Sequence, residues 1–167
     1  MARQTLGALA LEFSRDRFGF ARQHRHAVLL WAPPEAESDI IGKTLAPGAA
    51  RPARRGETVV IEVVKSPANV FAFGVTVGHA DSNDIVLPNE RVSRFHAYIR
   101  QGPSGAALVD AESTNGTFLD GVRLTPNKPA PLLPAARISF GGETVTYLEP
   151  ARLVAHLEEL LARPTLE

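Results

Sequence analysis

Between residues 58 and 148 the chain is a succession of short apolar runs, each broken by glycine, proline, asparagine, aspartate or serine. The runs are TVVIEVVK (58–65), VFAFGVTV (70–77), DIVLP, FHAYIR, AALVD, TFLD, GVRL, ARISF and ETVTYLE. They are rich in β-branched and aromatic residues, which fit a pleated, half-buried surface. No segment of helical length and period interrupts them. Such a series predicts an antiparallel β-sandwich or barrel. Asp120-Gly121 between TFL and VRL is the clearest hairpin, because both central residues tolerate the positive φ that a tight two-residue turn requires.

Composition narrows what such a fold can do. The 167 residues predict one domain with a core large enough to need no disulfides. There is no cysteine, which excludes thiol nucleophiles and cysteine-rich zinc sites and fits a reducing, cytoplasmic address. Lys+Arg and Asp+Glu are both 18, so the chain is neutral. Neutrality and sparse aromatics argue against a nucleic-acid binder, although Arg91, Arg94, Arg100 and Arg123 together would make a basic patch. No apolar run approaches the roughly 20 residues of a membrane span. The run Leu6 to Leu11 is soon followed by Arg15, Asp16 and Arg17, which argues against a cleaved leader.

The flanks have a different character. Residues 1–57 read as an N-terminal extension. Leu6, Leu9, Phe13 and Phe20 recur at helical spacing. HAVLLWAPP (26–34) is a strand stopped by Pro33 and Pro34. A loop rich in Ala, Pro, Gly and Arg follows. Its Gly42-Lys43-Thr44 is not a phosphate loop, because Glu37 stands where that pattern needs a glycine. Residues 58–149 form the β domain. Residues 150–167 return to helix, with Leu153, Val154, Leu157, Leu160 and Leu161 on one stripe that packs on its own domain. Pro150 suits the first helical turn and Pro164 ends the helix.

Catalysis finds little support. Ser93 and His96 in VSRFH lie three apart, so in a strand they point to opposite faces and meet only across a turn. No acid is placed to orient the histidine. His24 and His26 share a face but lack further ligands, so neither a metal site nor a cofactor is expected. Three loops are more telling: GHADSND (78–84), PNERVSR (88–94) and DAESTNG (110–116). In a sandwich, alternate connections gather at one end. Gathered there, these loops present hydroxyls, amides, arginines and backbone N–H groups, donors that suit a phosphate. Ordinary turn chemistry explains one such loop; three with this content point further.

The run VTVGHADSNDIVLPNERVSRFHAYI, followed by DAESTNGTFLDGVRL, resembles a forkhead-associated (FHA) domain. The family pattern is Gly-Arg, Asn-Asp-Ile, Ser-x-x-His, then Ser-Thr-Asn-Gly-Thr before a hairpin. The motifs cover about residues 78–118, and the wider likeness runs over roughly 58–148. The resemblance implies an all-β fold, an antiparallel β-sandwich of about eleven strands whose apical loops bind phosphothreonine in partner proteins. By that resemblance, Ser93 donates to the phosphate, Arg94 reaches the phosphate or peptide, Thr114 supports the phosphothreonine side and Asn115 bonds the peptide backbone. Gly78 and Gly116 serve backbone geometry, and His96 braces the loops from beneath. The implied partner is a phosphothreonine-bearing protein, with no nucleic acid and no membrane.

Two departures from the pattern follow. The family's arginine is His79 here, which replaces a planar, permanently charged fork with at most two divergent N–H donors. A weakened phosphate site is expected, with Arg91 or Arg94 compensating in part. The alternative reading takes His79 as the mark of a degenerate domain that binds a protein independently of phosphorylation. Pro134-Ala135-Ala136 replaces a common Gly-Asp before the penultimate strand, a change that bears on stability rather than on the ligand.

Overall fold

The computed structural model describes residues 4–33 and 57–163. The Gly42-Lys43-Thr44 triplet, the Pro/Ala/Arg-rich loop and Pro164 lie outside them. Twelve strands and three helices are present among the described residues. In chain order they are β1 (Gln4–Thr5), α1 (Leu6–Arg15), α2 (Arg17–Gln23), β2 (Val28–Trp31), β3 (Val59–Glu62), β4 (Val75–Gly78), β5 (Ile85–Val86), β6 (Ala97–Gly102), β7 (Gly105–Asp110), β8 (Thr117–Leu119), β9 (Val122–Arg123), β10 (Ala130–Pro131), β11 (Ala135–Phe140), β12 (Glu143–Leu148) and α3 (Pro150–Ala162).

The strands make a β-sandwich. One sheet has the order β1-β3-β2-β12-β11-β8-β9, the other β10-β7-β6-β4-β5. Every pairing is antiparallel except β4 with β5, which run parallel. The sandwich core is built from the inward residues of both sheets, among them Leu29, Ile61, Val77, Ile99, Leu108, Ile138 and Phe140. Asp120 and Gly121 take φ of 48° and 83°, the geometry expected of their turn.

The strand of the N-terminal extension is built into the sandwich. β2 lies between β3 and β12, and all four of its residues are buried. Leu29 and Trp31 face the inter-sheet core, while Val28 and Leu30 face a second core outside the sheet. Leu9, Phe13, Phe20, Leu153 and Leu157 from the three helices complete that second core. A strand covered on both faces reads as an unbroken apolar run, which explains the pattern AVLLW. Of the α3 stripe, Leu153 and Leu157 are buried there and Val154 and Leu160 pack against them, while Leu161 is exposed.

Two elements differ from the sequence expectation. The N-terminal helix is split at Asp16, whose side chain accepts from the Gly19 N–H at 2.8 Å and caps α2. The run 70–77 is strand only from Val75. Before it, the Asn69 side chain accepts from Phe71 N–H at 2.9 Å and donates to the Thr76 hydroxyl at 2.7 Å, folding residues 69–74 into a loop. Local side-chain hydrogen bonds of this kind compete with the strand ladder. His24 bonds Glu12 at 3.0 Å and stacks on Phe20, while His26 is exposed. Among the described residues, no helix is long and apolar enough to cross a membrane.

The helical layer contributes to stability through burial. Leu153 is fully buried where α3 meets the sheet. Leu153→Ala is expected to lower unfolding free energy by about 2–5 kcal/mol in urea denaturation, with an unchanged slope. An effect under about 0.5 kcal/mol would show that the helices do not share the fold's cooperative core.

Candidate functional site

Residues 79–84, 87–96 and 111–116 connect strands at one end of the sandwich. They are bonded to one another. The His79 N–H donates to the Ser93 carbonyl at 2.9 Å, and the Ala80 N–H to the Arg94 carbonyl at 3.2 Å. The Asn83 side-chain amide donates to the same Arg94 carbonyl at 2.6 Å and to the Ala80 carbonyl at 2.8 Å. A Cβ at Gly78 would lie 2.3 Å from the Arg94 carbonyl oxygen, so only glycine lets the first and second loops approach this closely.

The second and third loops meet at Ser93 and Thr114. The Thr114 N–H donates to Ser93 Oγ at 3.0 Å, and the two hydroxyl oxygens are 3.4 Å apart. Asn115 donates to the Arg91 carbonyl at 2.7 Å. That bond uses one of the amide's two donors and leaves its carbonyl oxygen without a bond to the described residues. Gly116 adopts a φ of +82°, which turns the chain into β8. Thr114, Asn115, Arg91, Arg94 and His79 are all exposed, and Ser93 is half-buried. His79, Ser93, Arg94, Thr114 and Asn115 thus stand on adjoining loops.

Beneath them lies His96, fully buried. The Ser93 N–H donates to His96 Nδ1 at 2.9 Å. Because an amide N–H only donates, Nδ1 carries no proton, and Nε2–H donates to the Gly116 carbonyl at 3.2 Å. One imidazole thereby spans the second and third loops. It faces the backbone nitrogen of Ser93 rather than its hydroxyl, which leaves no geometry for a Ser93–His96 nucleophile pair. Burial pushes the His96 pKa down, against the opposing pull of the Gly116 carbonyl and the nearby Asp110 carboxylate.

Two buried carboxylates set the outer loops. Asp110 accepts from the Ser113 N–H at 3.2 Å and from the Ser113 and Thr117 hydroxyls, shaping the third loop. Asp84 accepts from the Ser66 and Thr76 N–H groups, both at 2.8 Å, from the Thr76 hydroxyl at 3.1 Å and from Lys65 Nζ at 3.1 Å. Burial alone would raise the Asp84 pKa. The Thr76 and Ser66 amides, with Lys65 and the Thr76 hydroxyl, outweigh it and hold the carboxyl below its ordinary value.

Sequence reasoning assigned no role to several residues that build this end. Asn83 and Asp84 belong to the Asn-Asp-Ile motif but read as turn formers. Glu143 accepts from Asn89 in the second loop and from the Trp31 indole at 2.9 Å, tying that loop to β2. Gly141 donates to the Gly116 carbonyl at 3.2 Å and brings the β11–β12 turn against the third loop. The Gly141-Gly142 pair was the available signal for it.

The family model of the FHA domain matches residues 75–141 of this chain. Among curated relatives, the ABC transporter ATP-binding/permease protein Rv1747 of Mycobacterium tuberculosis is 44% identical over 50 residues, 30% of this chain and 6% of that protein. The FHA domain-containing protein FhaB of Mycolicibacterium smegmatis is 36% identical over 76 residues, 46% of this chain and 47% of that protein. The chain thus spans less than half the length of either. The N-terminal FHA domain from S. cerevisiae Rad53p, solved in complex with a phosphothreonine peptide, is similar at 26% identity with a TM-score of 0.43, covering 48% of this chain and 71% of that one.

His96 links stability to pH with a definite sign. Its folded pKa lies below the ordinary 6.5, so the unfolded chain takes up the proton first as pH falls. The stability it contributes is complete above 6.5 and is lost progressively below that value, toward the lower folded pKa. Urea denaturation from pH 7.5 to 5 is expected to show this decline, and His96→Asn to show a shallower one. Equal slopes in the two proteins would mean that His96 charges as readily in the fold as outside it.

Proposed function

We propose that this chain reads phosphothreonine in partner proteins through the loops at residues 79, 93–94 and 114–115. The observation that carries the reading is the Ser93–Thr114 contact with Asn115 beside it, which gathers hydroxyl, amide and backbone donors on one exposed surface. In this reading Ser93 Oγ and the Arg94 guanidinium take phosphate oxygens, Thr114 borders the threonine methyl, and Asn115 bonds the peptide backbone with its remaining amide groups. Arg94 is exposed and makes no ion pair with the described residues, so its charge is available. Gly78, Gly116 and His96 hold the loops and do not touch the ligand.

His79 sets the strength of the site. Its backbone N–H fastens the first loop to Ser93, while its exposed ring replaces the arginine of the family pattern. A charge-assisted bond contributes about 1.5–3 kcal/mol, or roughly tenfold to hundredfold in affinity. Titration calorimetry with matched threonine and phosphothreonine peptides is expected to show binding only of the phosphorylated form. His79→Arg is expected to tighten it by about tenfold or more. Equal binding of both peptide forms, with no gain from His79→Arg, would favour the alternative of a degenerate domain that engages its partner without phosphate.

A further inference from the structure

The two sheets differ in how their outer faces are covered. The helices pack over part of the larger sheet. On the smaller sheet, Ala97 and Ile99 of β6 point into the core, so Tyr98 between them points outward. Phe71 packs against Tyr98 at 5.3 Å, Phe95 at 5.1 Å and Phe73 at 5.6 Å between ring centroids. These rings are not fully covered: Phe73 is 71% exposed, Phe95 39% and the neighbouring Val70 98%. The other large exposed apolar residues among those described, Leu11, Phe18, Val122, Leu133 and Leu161, each stand on a different element or connection. Scattered residues of that kind are ordinary, whereas a contiguous group marks a contact surface.

The patch is preformed. The Asn69 side chain locks residues 69–74 through Phe71 and Thr76, and Asp84 accepts from the Ser66 and Thr76 N–H groups on either side of that loop. Rings held in this way need little further ordering on contact. The patch also carries a projection and a hollow side by side. Phe73 projects, while Phe71 beside it lines a cavity of about 370 Å³ together with Val70 and Phe95, with Asp81, Ser82 and Asn83 as the polar wall. An apolar cavity of about 150 Å³ already admits benzene, so this one has room for a phenylalanine ring. A surface with both features is complementary to itself. A two-fold axis lets the ring of each copy enter the hollow of the other.

Charge points to the same occupant. Residues 66–80 contain no Asp, Glu, Lys or Arg, the longest such run in the chain. Near a two-fold axis a charged side chain faces its own like, so a surface that pairs with itself keeps its centre uncharged. The formal net charge is zero, so two copies approach without mutual repulsion. The exposed parts of Val70, Phe73 and Phe95 amount to roughly 350 Å². That is about half of the roughly 800 Å² that each partner gives to a standard interface, as expected of an apolar centre with a polar rim. A pair of this size is weak and reversible rather than obligate.

We propose that this face of the smaller sheet binds a second copy of the chain, with Phe73 of each copy seated in the cavity that Val70, Phe71 and Phe95 line in the other. The pair presents two loop ends at once. This inference stands apart from the phosphothreonine reading and holds whether or not the loops take a phosphate.

Sedimentation velocity of the full chain at micromolar to millimolar concentrations is the test. A reversible equilibrium between monomer and dimer is expected. Phe73→Ser and Val70→Glu are each expected to weaken it by at least about a hundredfold, because each substitution enters the pair twice. Both side chains are largely exposed, so circular dichroism is expected to show an unchanged fold. Phe18→Ser removes a ring that is 90% exposed on the helical layer and is expected to leave the equilibrium unaltered. A chain that stays monomeric throughout overturns the proposal. So does a dimer that survives Phe73→Ser and Val70→Glu, or one that Phe18→Ser abolishes, since either places the contact on another surface.

Discussion

The loop end of this sandwich depends on one buried imidazole. Apart from the Ala111 N–H bond to the His96 carbonyl at 2.9 Å, the other bonds between the second and third loops run through side chains at the solvent edge. Through the His96 ring, the Ser93 N–H and the Gly116 carbonyl, on opposite sides of it in two different loops, share one group sealed from water. A neutral ring has one acceptor and one donor nitrogen, and here each is used. Burial favours that neutral form, so the environment that makes the ring costly to charge also fixes its tautomer. Phe140 packs edge-on against the ring at 5.7 Å and limits its rotation. The hydroxyl of Ser93 is then positioned by its own backbone, and Thr114 is carried with it.

The rest of the sandwich supports that arrangement from two directions. On one side, Asp84 draws the first loop, β4 and the segment before residues 69–74 to a single carboxylate. On the other, Glu143 joins Asn89 in the second loop to Trp31 on β2. The N-terminal extension is therefore not an appendage to the loop end. Its strand lies inside the larger sheet, its indole steadies a loop-supporting carboxylate, and its helices with α3 cover the sheet's outer face.

Much of this was legible in the residues, and the remainder was hidden for identifiable reasons. The Asp120-Gly121 hairpin, the three polar loops and the amphipathic C-terminal helix depend on local chemistry, which a sequence displays. The split at Asp16 and the loop at residues 69–74 depend on single side chains choosing a backbone partner, Asp16 to Gly19 and Asn69 to Phe71. In the second case an apolar, aromatic run outweighed the asparagine in the reading. Asp84 and Glu143 were unreadable for a different reason. Their partners lie up to 112 residues away, and a buried carboxylate looks like a solvated one until those partners are brought to it. The site residues at 79, 93, 94, 114 and 115 stand on adjoining loops, but the braces that hold those loops belong to long-range contacts.

The central claim is that three loops act as one receiving surface for a phosphorylated threonine. It is tested most directly by titrating an isotopically labelled chain with a phosphothreonine peptide and following backbone amide resonances. The amides of His79, Ser93, Arg94, Thr114 and Asn115 should shift together along a single binding curve, with the unphosphorylated peptide leaving them in place. Shifts confined to the opposite end of the sandwich or to the helical layer, with these five amides unmoved, would contradict it.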